Sequence, residues 1–154
     1  SQFERALVLK PGFASAHSNL GNTLMDLGRL DEALVHLQRA VELDPAYPEG
    51  LNNLGVALAK LGRHAESLAA FERALALRPG DAATHDNLAG ALRALGRIDE
   101  ALARHEEALR LAPNTPEAIA NQGRTLQAAG RPAEALIRFE QALARNPALT
   151  AARI

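Results

Sequence analysis

Four asparagines, Asn19, Asn53, Asn87 and Asn121, stand 34 residues apart along the chain. A primary amide donates and accepts hydrogen bonds at once. That is the chemistry needed to hold the backbone of an extended peptide at successive points. Within two helical turns of them lie Asn22, Asn52, Asp86, Arg93 and Arg124. Together these nine residues form the candidate peptide-binding set. Glu49, Lys60 and Glu117 are further neighbours, and the mixed signs favour a patterned peptide over a uniformly acidic or basic one. The asparagines also have a plainer reading, in which each amide bonds local backbone and serves the scaffold.

The other reactive residue types carry less. His17, His36, His64, His85 and His105 fall in no HExxH pattern, and there are no cysteines, so no metal motif is present. His17 and His85 share a repeat position and read as packing or groove residues. His105 stands where neighbouring repeats have Phe71 and Phe139 and is expected to be a half-buried core residue. No glycine-rich phosphate loop exists, because the Leu-Gly-Arg turns follow helices instead of strands. Aromatic residues make up 3% of the chain, too few for stacking on bases. The expectation is a binding protein with no catalytic residues, no cofactor and no metal, whose partner is a protein or peptide.

Bulk properties agree. The formal net charge of −1 exerts no general pull towards nucleic acid or an acidic membrane surface. No apolar run approaches a membrane span. A cysteine-free chain fits a reducing compartment, so a cytoplasmic location is expected.

The elements that must position the asparagines come in blocks. Pro11, Pro45, Pro79 and Pro113 each open a 34-residue block, and Pro147 opens a fifth. A fixed period of this length denotes stacked supersecondary units. Gly28, Gly62, Gly96 and Gly130 each lie 17 residues after their proline, where glycine can end a helix and turn the chain. Acidic residues follow, at Asp31, Glu32, Glu66, Asp99, Glu100 and Glu134, and complement the dipole of a second helix. The next proline stops that helix. Leu20, Leu24 and Leu27, then Leu34, Leu37 and Val41, keep helical spacing. The organisation expected is a second-helix stub at 1–10, full repeats at 11–44, 45–78, 79–112 and 113–146, and a first-helix stub at 147–154. Nine helical segments plus a short C-terminal piece should form, with no strand. Both ends fall inside a repeat, so a piece of a longer array is expected. Phe3, Leu7, Leu149 and Ile154 would then lack neighbours and favour weak end-to-end self-association.

These blocks resemble the tetratricopeptide repeat (TPR) family. The pair in the first helix reads Leu20-Gly21, Leu54-Gly55, Leu88-Ala89 and Gln122-Gly123. The second helix carries small residues at Ala33, Ser67, Ala101 and Ala135, then at Ala40, Ala74, Ala108 and Ala142. The resemblance implies an all-α, right-handed superhelical solenoid of helix-turn-helix repeats. It implies that first helices line a concave groove, and that the chain is a protein–protein interaction scaffold. The wording AHSNLGNTL and NNLGVALAKLGR is also similar to the repeat arm of O-linked N-acetylglucosamine transferases and related bacterial proteins. Two alternatives therefore stand beside the scaffold reading: the substrate-recognition arm of a larger enzyme such as a glycosyltransferase, and a self-assembling structural module.

The chain departs from the family pattern in places. His17, Leu51, His85 and Ile119 occupy a place where the family favours an aromatic residue. Gln122, Ala129 and Arg145 replace leucines, so the fourth repeat is expected to pack least well. Where some relatives clamp a terminal carboxylate with basic residues, this chain has Ser18, Ala83 and Asn87, or Asn52, Glu117 and Asn121. Without those cations the charge-assisted bonds are lost, and a chaperone-tail clamp is not expected.

Overall fold

The computed structural model describes residues 13–149. Eight helices occupy them: α1 (Ala14–Asp26), α2 (Leu30–Leu43), α3 (Pro48–Lys60), α4 (His64–Leu77), α5 (Ala82–Ala94), α6 (Ile98–Leu111), α7 (Pro116–Ala128) and α8 (Pro132–Arg145). No strand occurs among the described residues. The fold class is the all-α helical repeat solenoid. The expected N-terminal helix with Phe3 and Leu7, and the end of the chain at Ile154, lie outside the described residues.

Each first helix ends the same way, and the glycine makes it possible. Gly28, Gly62, Gly96 and Gly130 have φ of 77°, 78°, 77° and 73°, a region that costs a residue with a Cβ roughly 1 kcal/mol or more. In the first repeat the Gly28 amide donates to the Met25 carbonyl at 2.9 Å, and the Arg29 amide reaches back to Leu24 at 2.9 Å. This is the Schellman pair of bonds, which satisfies two carbonyls that a helix end leaves open. The same pair recurs at Gly62, Gly96 and Gly130.

The arginine after each glycine then starts the second helix. Arg29, Arg63, Arg97 and Arg131 are N-cap residues without a side-chain cap. Instead each reaches forward to a carboxylate three residues on, at Glu32, Glu66, Glu100 and Glu134. The hydrogen bond from Arg29 holds the Glu32 carboxyl below its ordinary range, as those from Arg97 and Arg131 do for Glu100 and Glu134. The second helices stop at Asp44, Arg78, Ala112 and Asn146, with φ of −140°, −139°, −139° and −142°. Each precedes a proline, which pushes its predecessor out of the helical region.

The chain divides into two compact units, Ser1–Pro79 and Gly80–Ile154. In the first, α1 packs on α2 and α3 on α4, while α3 also lies against α1 and α2. Its core includes Leu20, Leu24, Leu37, Leu51, Leu54 and Leu58, all buried. In the second unit α5 packs on α6 and α7 on α8, and α7 lies against both α5 and α6. Ile119, Leu126, Phe139 and Ala142 form its C-terminal cluster.

Close approach within a pair depends on the small residue of the first helix. A Cβ placed on Gly21 would lie 2.5 Å from Leu37 Cγ. On Gly55 it would lie 2.5 Å from Phe71 Cε1, and on Gly123 2.7 Å from Phe139 Cε1. In the third repeat the corresponding pair is Ala89 and the smaller ring of His105.

The first and last of the second helices differ in cover at one position, because α3 packs on α2 whereas α8 is the last of the described helices. Leu34 of α2 is 8% exposed, while its counterpart Leu136 of α8 is 58% exposed. Otherwise α8 buries Ala135, Phe139 and Ala142, as few residues as α6 with Ala101, His105 and Ala108.

Candidate functional site

The first helices carry the candidate residues on a polar stripe. In the first unit Asn19 is exposed on α1 and Asn22 is half-buried one turn on. On α3, Asn52 and Asn53 are half-buried. In the second unit Asp86, Asn87 and Arg93 on α5, and Asn121 and Arg124 on α7, are half-buried. Partial burial of a polar side chain calls for a hydrogen-bond partner.

The structure shows such partners for two of the asparagines. Asn53 Nδ2 donates to Ser18 Oγ of the preceding repeat at 3.0 Å. In the second unit Asn121 Nδ2 donates to Asp86 Oδ2 at 2.8 Å. Ser18 and Asp86 share one repeat position, seven residues after their prolines. The amide thus ties consecutive first helices together in both units. Asn53 keeps its carbonyl oxygen as a site for an incoming donor. Asn121 Oδ1 accepts from Arg124 Nη1 at 3.2 Å.

The second unit builds a deeper network on this rung. Asp86 Oδ1 lies 3.1 Å from His105 Nδ1, and His105 Nε2 lies 2.8 Å from Thr125 Oγ1. Thr125 Oγ1 also lies 3.2 Å from the Asn121 carbonyl, one turn back on α7, which competes with His105 Nε2 for the single hydroxyl hydrogen. An ionised carboxylate only accepts, so the Asp86 contact places a hydrogen on Nδ1. His105 is 1% exposed, not the half-buried core residue expected from sequence. Its ring sits in the place filled by Leu37, Phe71 and Phe139 elsewhere, yet both nitrogens have partners. The signal for this lay in the sequence as a polar residue at an otherwise apolar position. Thr125 gave no comparable signal.

Asp86, Asn121, Arg124 and Arg93 are therefore brought together. Burial, then the charge of Arg124, hold the Arg93 guanidinium below its ordinary range, and Asp86 acts in the opposite direction. In the first unit the positions matching Arg93 and Arg124 hold Met25, Ala59, Asn22 and Val56, so no pair of cations forms there. Asn19 stands apart: its side chain is exposed, and its carbonyl accepts from Thr23 Oγ1 at 3.1 Å. Glu49, expected to act beside Lys60, makes a surface ion pair with Arg78 at 2.8 Å.

His17 and His85 are buried, at 8% and 5% exposed, and act in packing. The His17 ring stacks on His36 with centroids 5.4 Å apart. Among the described residues no group of three or more His, Cys, Asp or Glu could hold a metal ion. No helix among them is long and apolar enough to cross a membrane.

Comparison with known proteins bears on these helical pairs. The family model described as "Tetratricopeptide repeat" matches residues 48–114 and 80–148, and that described as "TPR repeat" matches residues 21–62. No curated protein matches the chain. Among solved structures, the chain is similar to TTC0263, a thermophilic TPR protein in Thermus thermophilus. That match has 29% identity and a TM-score of 0.84, covering 98% of this chain and 83% of that one. It is similar to MamA at 26% identity and a TM-score of 0.81, covering 94% of this chain and 85% of that one. It is also similar to the first TPR of Spaghetti (RPAP3), solved bound to the HSP90 peptide SRMEEVD. There the identity is 26% and the TM-score 0.72, covering 76% of this chain and 93% of that one.

Proposed function

The chain belongs to the tetratricopeptide repeat family, and on that footing we propose that it binds an extended peptide or protein segment along the polar stripe of its first helices. It acts by binding and not by catalysis. Repeats of this family are in general non-catalytic protein-interaction modules. The observation that carries the finer reading is the recurring asparagine. In all four repeats the same half-exposed or exposed amide stands on the first helix. Each backbone unit of an extended ligand offers one donor and one acceptor. The Asn53 carbonyl oxygen can accept from a ligand N–H while its amide stays on Ser18. One such bond nets about 0.5–1.5 kcal/mol, so several must act together. The RPAP3 relative, solved with a seven-residue peptide, supports a ligand of this kind.

The test is selection from a display library of random dodecapeptides, followed by NMR titration of the isotopically labelled protein with an enriched peptide. Shifts should concentrate on α1, α3, α5 and α7. Failure to enrich any peptide over a control surface, or shifts confined to the second helices, refutes the reading.

A further inference from the structure

The asparagine rung occurs in both units, but only the second adds two arginines and an opening beside them. Asp86, Gly90 and Arg93 lie at i, i+4 and i+7 on α5, which places them on one face. A Cβ built on Gly90 meets nothing within 4 Å. The corresponding residues of the other repeats are Asn22, Val56 and Arg124, so Gly90 leaves a notch where a side chain otherwise stands. Arg93 flanks the notch one turn along α5, and Arg124 comes from the neighbouring α7. We infer that this notch receives a single carboxylate side chain, a Glu or Asp within the bound peptide, between the Arg93 and Arg124 guanidinium groups.

Three observations support a monoanion. First, Arg93 is half-buried and forms no ion pair among the described residues. A desolvated guanidinium beside a second cation is unfavourable until an anion arrives. Second, the nearby Asp86 carboxylate meets that need only in part: its charge favours the Arg93 cation, but it forms no ion pair with it, and its oxygens are held by His105 and Asn121. Third, the charges that act on Arg93 are those of Arg124 and Asp86, so around Arg93 two cations face one carboxylate, and the single positive charge left there matches a carboxylate better than a doubly charged phosphate.

The surrounding network also fixes the geometry. Thr125 and His105 hold Asp86, Asp86 holds Asn121, and Asn121 Oδ1 accepts from Arg124. A cation anchored in this way loses less freedom when it binds. His105 is a positioning residue for the site, acting through Asp86 and Asn121.

This inference rests on the peptide-binding reading, and the test separates the two. Dodecapeptides selected on the wild-type protein, synthesised with amidated C-termini, are measured by fluorescence anisotropy. The expected result is an acidic residue at one fixed peptide position. Its change to the amide should weaken binding tenfold or more, a difference of about 1.4 kcal/mol. Arg93→Gln should cost the same factor, and combining it with the amide peptide should add little further, the mark of a direct pair. Gly90→Val, which installs the residue found at Val56, should close the notch and weaken binding while the protein remains folded by circular dichroism. Without peptide, Arg93→Gln should melt no lower than the wild type, because it removes a half-buried cation held beside Arg124. Enriched peptides without an acidic position, or binding indifferent to both Arg93→Gln and Gly90→Val, overturn the inference and leave peptide binding standing. Binding that requires a free C-terminal carboxylate, or a phosphorylated residue, also overturns it. If no peptide is enriched, both readings fall.

Discussion

The same substitution, glycine to alanine, should have opposite effects at two places on the first helices. Gly55 and Gly90 both lie inside helices, α3 and α5. Replacing an interior helical glycine by alanine gains about 0.5–1 kcal/mol, because alanine loses less backbone freedom on folding. At Gly90 nothing lies within 4 Å of the new Cβ, so Gly90→Ala should realise that gain in full. At Gly55 the new Cβ would lie 2.5 Å from Phe71 Cε1, 2.7 Å from Cδ1 and 2.9 Å from Cζ. Phe71 is 1% exposed, so its ring can shift only against packed neighbours and not into solvent. Overpacking of this kind costs about 1–3 kcal/mol. Set against the propensity gain, Gly55→Ala should be net destabilising, from nearly neutral to about 2.5 kcal/mol. The difference between the two variants isolates the packing cost, since the backbone contribution is common. At about 2–4 °C per kcal/mol for a chain of this size, Gly90→Ala should raise Tm by a few degrees and Gly55→Ala should lower it. Thermal and urea melts followed by helical ellipticity measure both. Stabilisation by Gly55→Ala, or destabilisation by Gly90→Ala, would refute the reasoning that these glycines differ in the room above them.

Three further outcomes are expected. Asn53→Ala removes the donor to Ser18 Oγ, a buried hydroxyl, and should cost about 0.5–1.5 kcal/mol in urea denaturation whether or not a peptide is present. Leu34→Ala should cost about 2–5 kcal/mol as a buried truncation, whereas Leu136→Ala, at a counterpart 58% exposed, should change stability by less than about 0.5 kcal/mol. Because their folded pKa values are lowered from 4.5, the Glu32, Glu100 and Glu134 pairs contribute stability above that pH. The contribution is lost as pH falls through the folded values. In acid melts from pH 5 downwards, Arg29→Ala with Arg97→Ala and Arg131→Ala should remove this part of the pH dependence; an unchanged slope counts against it.

Sequence alone determined the helix-turn-helix order, because local chemistry makes those decisions. A glycine that accepts positive φ, an acidic first turn and a proline that blocks the next helical turn act within a few residues of themselves. Repetition at 34 residues then showed which positions correspond, and so placed Asn19, Asn53, Asn87 and Asn121 on equivalent turns. What those amides touch was not legible, since Ser18 and Asp86 lie 35 residues away from Asn53 and Asn121. Only packing of consecutive first helices brings them together. The fate of His105 was hidden for the same reason. A histidine in an apolar place reads as a half-buried compromise until the fold puts Asp86 on one nitrogen and Thr125 on the other. Gly90 was legible as a small residue but not as an opening, because open space depends on what neighbouring helices fail to fill. Local backbone preference is written in short stretches of sequence, whereas hydrogen-bond partners and empty volume exist only once helices from different repeats have packed.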